Sequence, residues 1–201
     1  MILDFTTMLT ADHPMIAWAK TNENPHIAMG HVGTHLDTYE KTKIPLAYFR
    51  CRGILFQVVG IEEVTEDDID LTKIQAGDFV LFRTGRSEEY AYGEKEYFSN
   101  HPKLALSLIE KLVEKKIHFI GVDCPGIREH EEHQQADRFC ERHGVYVIEN
   151  LKNLANAYKE ARIALEVGKV FDIERPVMSY ENLGIGRLIY QLPITLCEMF
   201  L

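Results

Sequence analysis

Along this chain, compact apolar runs alternate with stretches in which apolar residues recur every three or four positions. Residues 53–60, GILFQVVG, form an apolar run of strand length. After it, Thr65 can cap a short helix whose first turn carries Glu66, Asp67 and Asp68, negative groups suited to a helix N-terminus. Gly77-Asp78 reads as a turn into FVLF, a second buried strand. His101-Pro102 then predicts the opening of a helix in which Leu104, Leu108 and Leu112 recur beside Ile109 and Val113, leaving Glu and Lys to the other face. Residues 117–122, IHFIGV, predict a third strand. A helix from about Glu131 to Arg142 should end at Gly144, before a strand over VYVIEN. Two further strands are expected near 170–178 and 187–192. Strand, helix, strand order predicts an α/β fold. With no repeat and no Gly- or Pro-rich linker, residues 1–201 read as one domain.

Charge narrows the range of partners. The chain has 22 Lys and Arg against 31 Asp and Glu, a formal charge of -9, which repels phosphate backbones and anionic lipid surfaces. The expectation is a small-molecule substrate, no nucleic acid and no membrane. Cys51, Cys124, Cys140 and Cys197 are far apart and form no CxxC pair, as free thiols in a reducing compartment would be. The first residues show neither a basic segment nor a long apolar run, so a cytoplasmic protein is expected.

Candidate chemistry concentrates in two places. MGHVGTHLDTYEKTKIP sets His31, His35 and Asp37 within seven residues. His35 and Asp37, two apart, share a face of an extended backbone, and a turn at Gly33 could fold His31 back toward them. Two imidazoles and a carboxylate suit Zn²⁺ first, with Mn²⁺ or Fe²⁺ as alternatives. Polar residues of a surface loop would give the same spacing. Thr34 could orient a ligand from behind. In the second place, REHEEHQQADRFCERHGVYVIENLKNL, His133 and Asp137 are one helical turn apart, while Glu149 falls in line with Val145 and Val147 on its strand. A carboxylate in a row of core valines needs a partner unless the strand end is exposed.

His31-Val-Gly33-Thr34-His35-Leu-Asp37 resembles the HxGTHxD signature of the cyclase family of metal-dependent hydrolases, which includes bacterial kynurenine formamidases and isatin hydrolases. The run from His133 to Leu151 is similar to that family's second metal motif, in which a helical histidine and a glutamate before Asn-Leu complete the site. The resemblance implies a swivelling β/β/α fold and a divalent-metal site of one or two ions held by His31, His35, Asp37, His133 and Glu149, with Asp37 bridging two ions. Asp137 is a substitute for His133 or a residue that orients it. The implied reaction is hydrolysis of an amide, a formamide or a small cyclic amide by metal-activated water, as in an arylformamidase, within a homodimer or homotetramer. Asp123, at the end of IHFIGVD, is the residue the resemblance points to for substrate binding, and Trp18 lies where relatives place aromatic residues. The apolar tail LPITLCEMFL is a candidate subunit contact.

The pattern breaks in one place. Family members continue HxGTHxDxPxH, and here Tyr39 stands for the proline and Lys41 for the final, proton-transferring histidine. No catalytic acid or base is assigned from the sequence, and Lys41 beside Glu40 reads most simply as a solvated pair. The alternative this raises is a protein that keeps the fold and binds a metal or small molecule without turnover.

Overall fold

The computed structural model describes residues 4–23 and 31–160. The expected strands near 170–178 and 187–192 and the tail 192–201 lie outside the described residues. Phe5–Lys152 form a compact unit, and every element below belongs to it.

Helix α1, Pro14–Thr21, opens with Pro14, whose missing N–H costs nothing at a first helical position, and with the His13 ring accepting the Met15 N–H at 3.2 Å. The short strand β1, His35–Leu36, precedes β2, Gly53–Gln57, and β3, Glu63–Val64. The helix expected after Thr65 is a single 3-10 turn, Glu66–Asp68, in which the Asp68 carboxylate accepts both the Thr65 N–H (2.7 Å) and its hydroxyl (2.8 Å). Strand β4, Phe79–Arg83, leads to two short helices, α2, Arg86–Glu89, and α3, Lys95–Phe98. Strand β5, Lys103–Leu104, helix α4, Leu106–Glu114, strand β6, Phe119–Val122, helix α5, His130–Arg142, and strand β7, Tyr146–Glu149, complete the unit.

One predicted boundary is wrong. The helix expected from His101-Pro102 starts at Leu106, because the preceding backbone is committed to β3: the Lys103 N–H donates to Glu62 O (3.0 Å) and the Ala105 N–H to Val64 O (2.8 Å). Leu104 is nevertheless buried, so its spacing from Leu108 imitated one more helical turn.

The main sheet has the order β1-β7-β6-β4-β2. β2, β4, β6 and β7 run parallel, and β1 pairs antiparallel with β7. All four residues of β6 are buried, as expected of a strand covered on both faces. Leu108, Ile109, Leu112 and Val113 of α4 join Val80, Phe82, Ile120 and Val122 in one core, which Ala136 and Cys140 of α5 extend. This mixed, mostly parallel sheet with helices is the α/β fold the sequence predicts.

Candidate metal centre

The two sequence motifs meet because β1 and β7 are neighbours, with His35 directly opposite Glu149. The His35 Nε2 atom lies 3.6 Å from Glu149 Oε2 and 3.8 Å from Asp37 Oδ2. Gly33, at φ +70°, makes the turn that the sequence allows there, and the His31 ring comes back to 4.4 Å from the His35 ring, centre to centre. His31 Nδ1 is 3.2 Å from Asp37 Oδ1. From α5, His133 Nε2 reaches 3.3 Å from both Asp137 Oδ2 and Glu149 Oε1. The structure thus brings together all five residues expected as ligands, and Asp137 lies at the cluster beside His133.

Backbone carbonyls aim the imidazoles. Gly33 O sits 2.8 Å from His35 Nδ1 and also accepts the Asn150 amide at 3.1 Å, so His35 carries its proton on Nδ1 and turns a bare Nε2 toward the carboxylates. Arg128 O, 3.3 Å from His133 Nδ1, does the same for the second ring. Gly126 leaves room for that ring, since a Cβ there would fall 2.5 Å from His133 Nδ1. Thr34 works as a brace: its hydroxyl donates to Asn150 O (2.7 Å) and accepts the Thr7 N–H (2.8 Å), tying β1 to the end of β7.

The electrostatics of the cluster call for a cation. Asp137 and Glu149 are buried, and Asp137 Oδ1 and Oδ2, Glu149 Oε1 and His35 Nε2 make no hydrogen bond. Burial, then repulsion from Asp37, pushes Asp137 up to about 8, while burial and the neighbouring Asp137 and Asp37 raise Glu149 well above the usual carboxylate range. Burial also lowers His35 and His133, which keeps both rings neutral and able to donate a lone pair. Three carboxylates and neutral imidazoles, with bare atoms pointing inward, fit a divalent ion. Donor atoms of His31, His35 and Asp37 lie within 4.8 Å of one another, and so do those of Asp37, His133 and Asp137. Asp37 alone belongs to both groups.

Other predicted residues fall elsewhere. Lys41 and Glu40 are exposed, Glu40 pairing with Arg142 at 2.8 Å. Asp123 is fully buried, and both its oxygens are engaged by Thr84 and Gly85: Oδ1 accepts the Thr84 N–H and hydroxyl (2.7 Å each) and Oδ2 the Gly85 N–H (3.0 Å). It holds the turn after β4 and presents no open oxygen to a substrate. Trp18 does line a cavity of about 460 Å³ with Met15, His31, His35, Tyr92 and Phe98. A larger cavity of about 950 Å³, lined by Val59, Ile61, Thr84, Arg86, His101 and Glu129 among others, includes none of the cluster's residues.

Two residues near the cluster were not legible as site residues. The Tyr39 hydroxyl reaches Asp37 Oδ2 at 3.3 Å, and the buried Glu141 carboxylate accepts the backbone N–H groups of Tyr39 (2.7 Å), Glu40 (2.9 Å) and Thr42 (3.1 Å). The only hint was the departure from the family pattern: a proline at position 39 could not donate the first of those bonds.

Fold and cluster together define an α/β protein with a candidate metal centre where the edge strand β1 pairs with β7. The Cyclase family model, described as "Putative cyclase", matches residues 3–129, more than half of the sequence, and the chain belongs to that family. The match ends before α5 and β7, so His133, Asp137 and Glu149 join the site on geometry. A potential metal-dependent hydrolase with cyclase activity is 32% identical, with a TM-score of 0.50 over 62% of this chain and 65% of that one. The chain therefore spans less than two thirds of that relative's length. An isatin hydrolase bound to the product analogue thioisatinate shares the fold at 21% identity and a TM-score of 0.52, over 63% of this chain and 61% of that one. Isatin hydrolase A from Labrenzia aggregata, bound to benzyl benzoate, shares it at 17% identity and a TM-score of 0.58, over 77% and 81% of the two chains. Among curated proteins, no sequence matches this chain significantly.

Proposed function

We propose that this protein is a metal-dependent hydrolase of small molecules, acting on an amide, a formamide or a small cyclic amide. The observation that carries the reading is the register of His35 against Glu149, which gathers bare imidazole and carboxylate atoms at the wall of a cavity. His31, His35, Asp37, His133, Asp137 and Glu149 would hold one or two ions, with Zn²⁺ the first choice and Mn²⁺ or Fe²⁺ alternatives. Such an ion polarises a carbonyl and acidifies water. The chain's own contribution is to fix both histidines as neutral donors through the Gly33 and Arg128 carbonyls. Met15, Trp18, Tyr92 and Phe98 supply an apolar wall that excludes bulk water from a bound acyl group and stacks on a flat substrate. Assembly as a homodimer or homotetramer belongs to the same reading, and light scattering in solution tests it.

The reading is tested by reconstituting the protein with each ion and supplying an aryl formamide or a small cyclic amide. Chelator-reversible hydrolysis that His35→Ala abolishes is the expected result, and failure to bind any of the three ions would sink the proposal. One observation favours a second reading, binding without turnover: Lys41 is exposed, leaving no proton-transferring side chain at the position where the family pattern has a histidine. Metal binding with no hydrolysis of either substrate would favour that reading. Because the loop carries residue 41 to the surface, Lys41→His should not raise activity.

A further inference from the structure

A carboxylate that belongs to two groups of ligands must have both oxygens aimed. Asp37 is that residue. Its Oδ1 faces His31 Nδ1 at 3.2 Å, and its Oδ2 receives the Tyr39 hydroxyl at 3.3 Å. We propose that Tyr39 is a positioning residue of the metal centre: its phenol donates to Asp37 Oδ2 and fixes the orientation in which this aspartate serves the β1 ligands and the α5 ligands together. The proposal rests on the metal-binding reading above.

Three anchors hold the phenol in place. The Tyr39 N–H donates to Glu141 Oε2 at 2.7 Å, so the residue is bonded to α5, the helix that also carries His133 and Asp137. The Arg138 guanidinium lies over the Tyr39 ring, 5.5 Å from its centre. The loop then turns at Lys41, φ +54°, where the Thr42 N–H returns to Glu141 Oε1 at 3.1 Å. Through this clamp the donor to Asp37 and two of the ligands around Asp37 move with one helix. A phenol is protonated at neutral pH, so its bond to a carboxylate oxygen has a fixed polarity. Partners of this kind behind a ligand typically change metal affinity by about 10- to 100-fold.

The test compares Tyr39→Phe, which keeps the ring under Arg138 and removes the donor, with Lys41→Ala from the exposed part of the same loop. Zn²⁺ affinity is measured by competition with a chromophoric chelator, the visible spectrum of bound Co²⁺ reports ligand geometry, and melting without metal reports the fold. The expected result is about 10- to 100-fold weaker Zn²⁺ binding and an altered Co²⁺ spectrum for Tyr39→Phe, natural affinity for Lys41→Ala, and an unchanged metal-free melting temperature for both. Equal affinity in Tyr39→Phe and the natural protein overturns the role of Tyr39 and leaves the metal centre standing. An equal loss in both variants also overturns it, by tracing the effect to the loop. A natural protein that binds none of Zn²⁺, Co²⁺, Mn²⁺ and Fe²⁺ overturns the metal centre and this role together.

Discussion

At the scale of single residues, the centre combines groups that oppose one another when no ion is present. Asp137, raised to about 8, and Glu149, raised well above its ordinary value, bind protons in the folded chain that the unfolded chain has released. Rising pH therefore favours the unfolded state as long as those protons are being lost. His35 and His133, lowered by burial, act in the opposite sense, but only below about 6.5, where an unfolded histidine takes up its proton. Between about pH 6.5 and pH 8 the carboxylates act alone. Thermal melts in chelator should show stability falling across this window, and Asp137→Asn should flatten the slope. With metal present the trend should reverse, since the ion competes with those same protons. Gly126 yields a second expectation: Gly126→Ala places a methyl group 2.5 Å from His133 Nδ1 and should weaken metal binding by about 10-fold or more, read by calorimetric titration. That His31, His35, Asp37, His133 and Glu149 belong together was implied by the family resemblance, because the spacing of imidazoles and carboxylates alone fits a polar surface loop equally well. Tyr39 was not legible, because nothing local in the sequence says where a phenol's oxygen will point.

At the scale of elements, hydrophobic periodicity located strands better than helix starts. FVLF makes up all of β4 but Arg83, and IHFIGV contains β6; these strands form the buried centre of the sheet, and their continuous apolar runs leave little ambiguity. The start of α4 was misjudged because Leu104 is as buried in a two-residue strand as it would be in a helix. Helix α1 went unpredicted: it has few periodic apolar positions, and its start depends on a histidine ring acting as a cap. Inside the sheet, Gly121 allows β6 to pack closely, since a Cβ there would lie 2.6 Å from the Phe79 ring and 2.7 Å from the Leu151 side chain. Gly121→Ala should cost about 1–3 kcal/mol, measured by urea denaturation, with metal affinity changed less than stability.

For the whole compact unit, the alternation of apolar strands and amphipathic helices along the chain pointed to the α/β fold that is observed, and no described helix is long and apolar enough to cross a membrane. Residue spacing alone could not show that β1 lies beside β7, since pairing distant strands is decided by the sheet as a whole; the resemblance to a family carried that step. Loading the centre should raise the melting temperature in proportion to the logarithm of free metal concentration, and a chelator should return it to the metal-free value. A melting temperature indifferent to metal across a hundredfold concentration range would contradict this.

The antiparallel pair that seats His35 against Glu149 has a kinetic consequence. Strand β1 is two residues long, lies at the rim of the sheet, and its partner arrives from almost the far end of the compact unit, so it is zipped into place by closing a very large chain loop. An ion gripping both sides is a removable cross-link over that loop, and stopped-flow traces should show it slowing departure from the native state far more than hastening arrival.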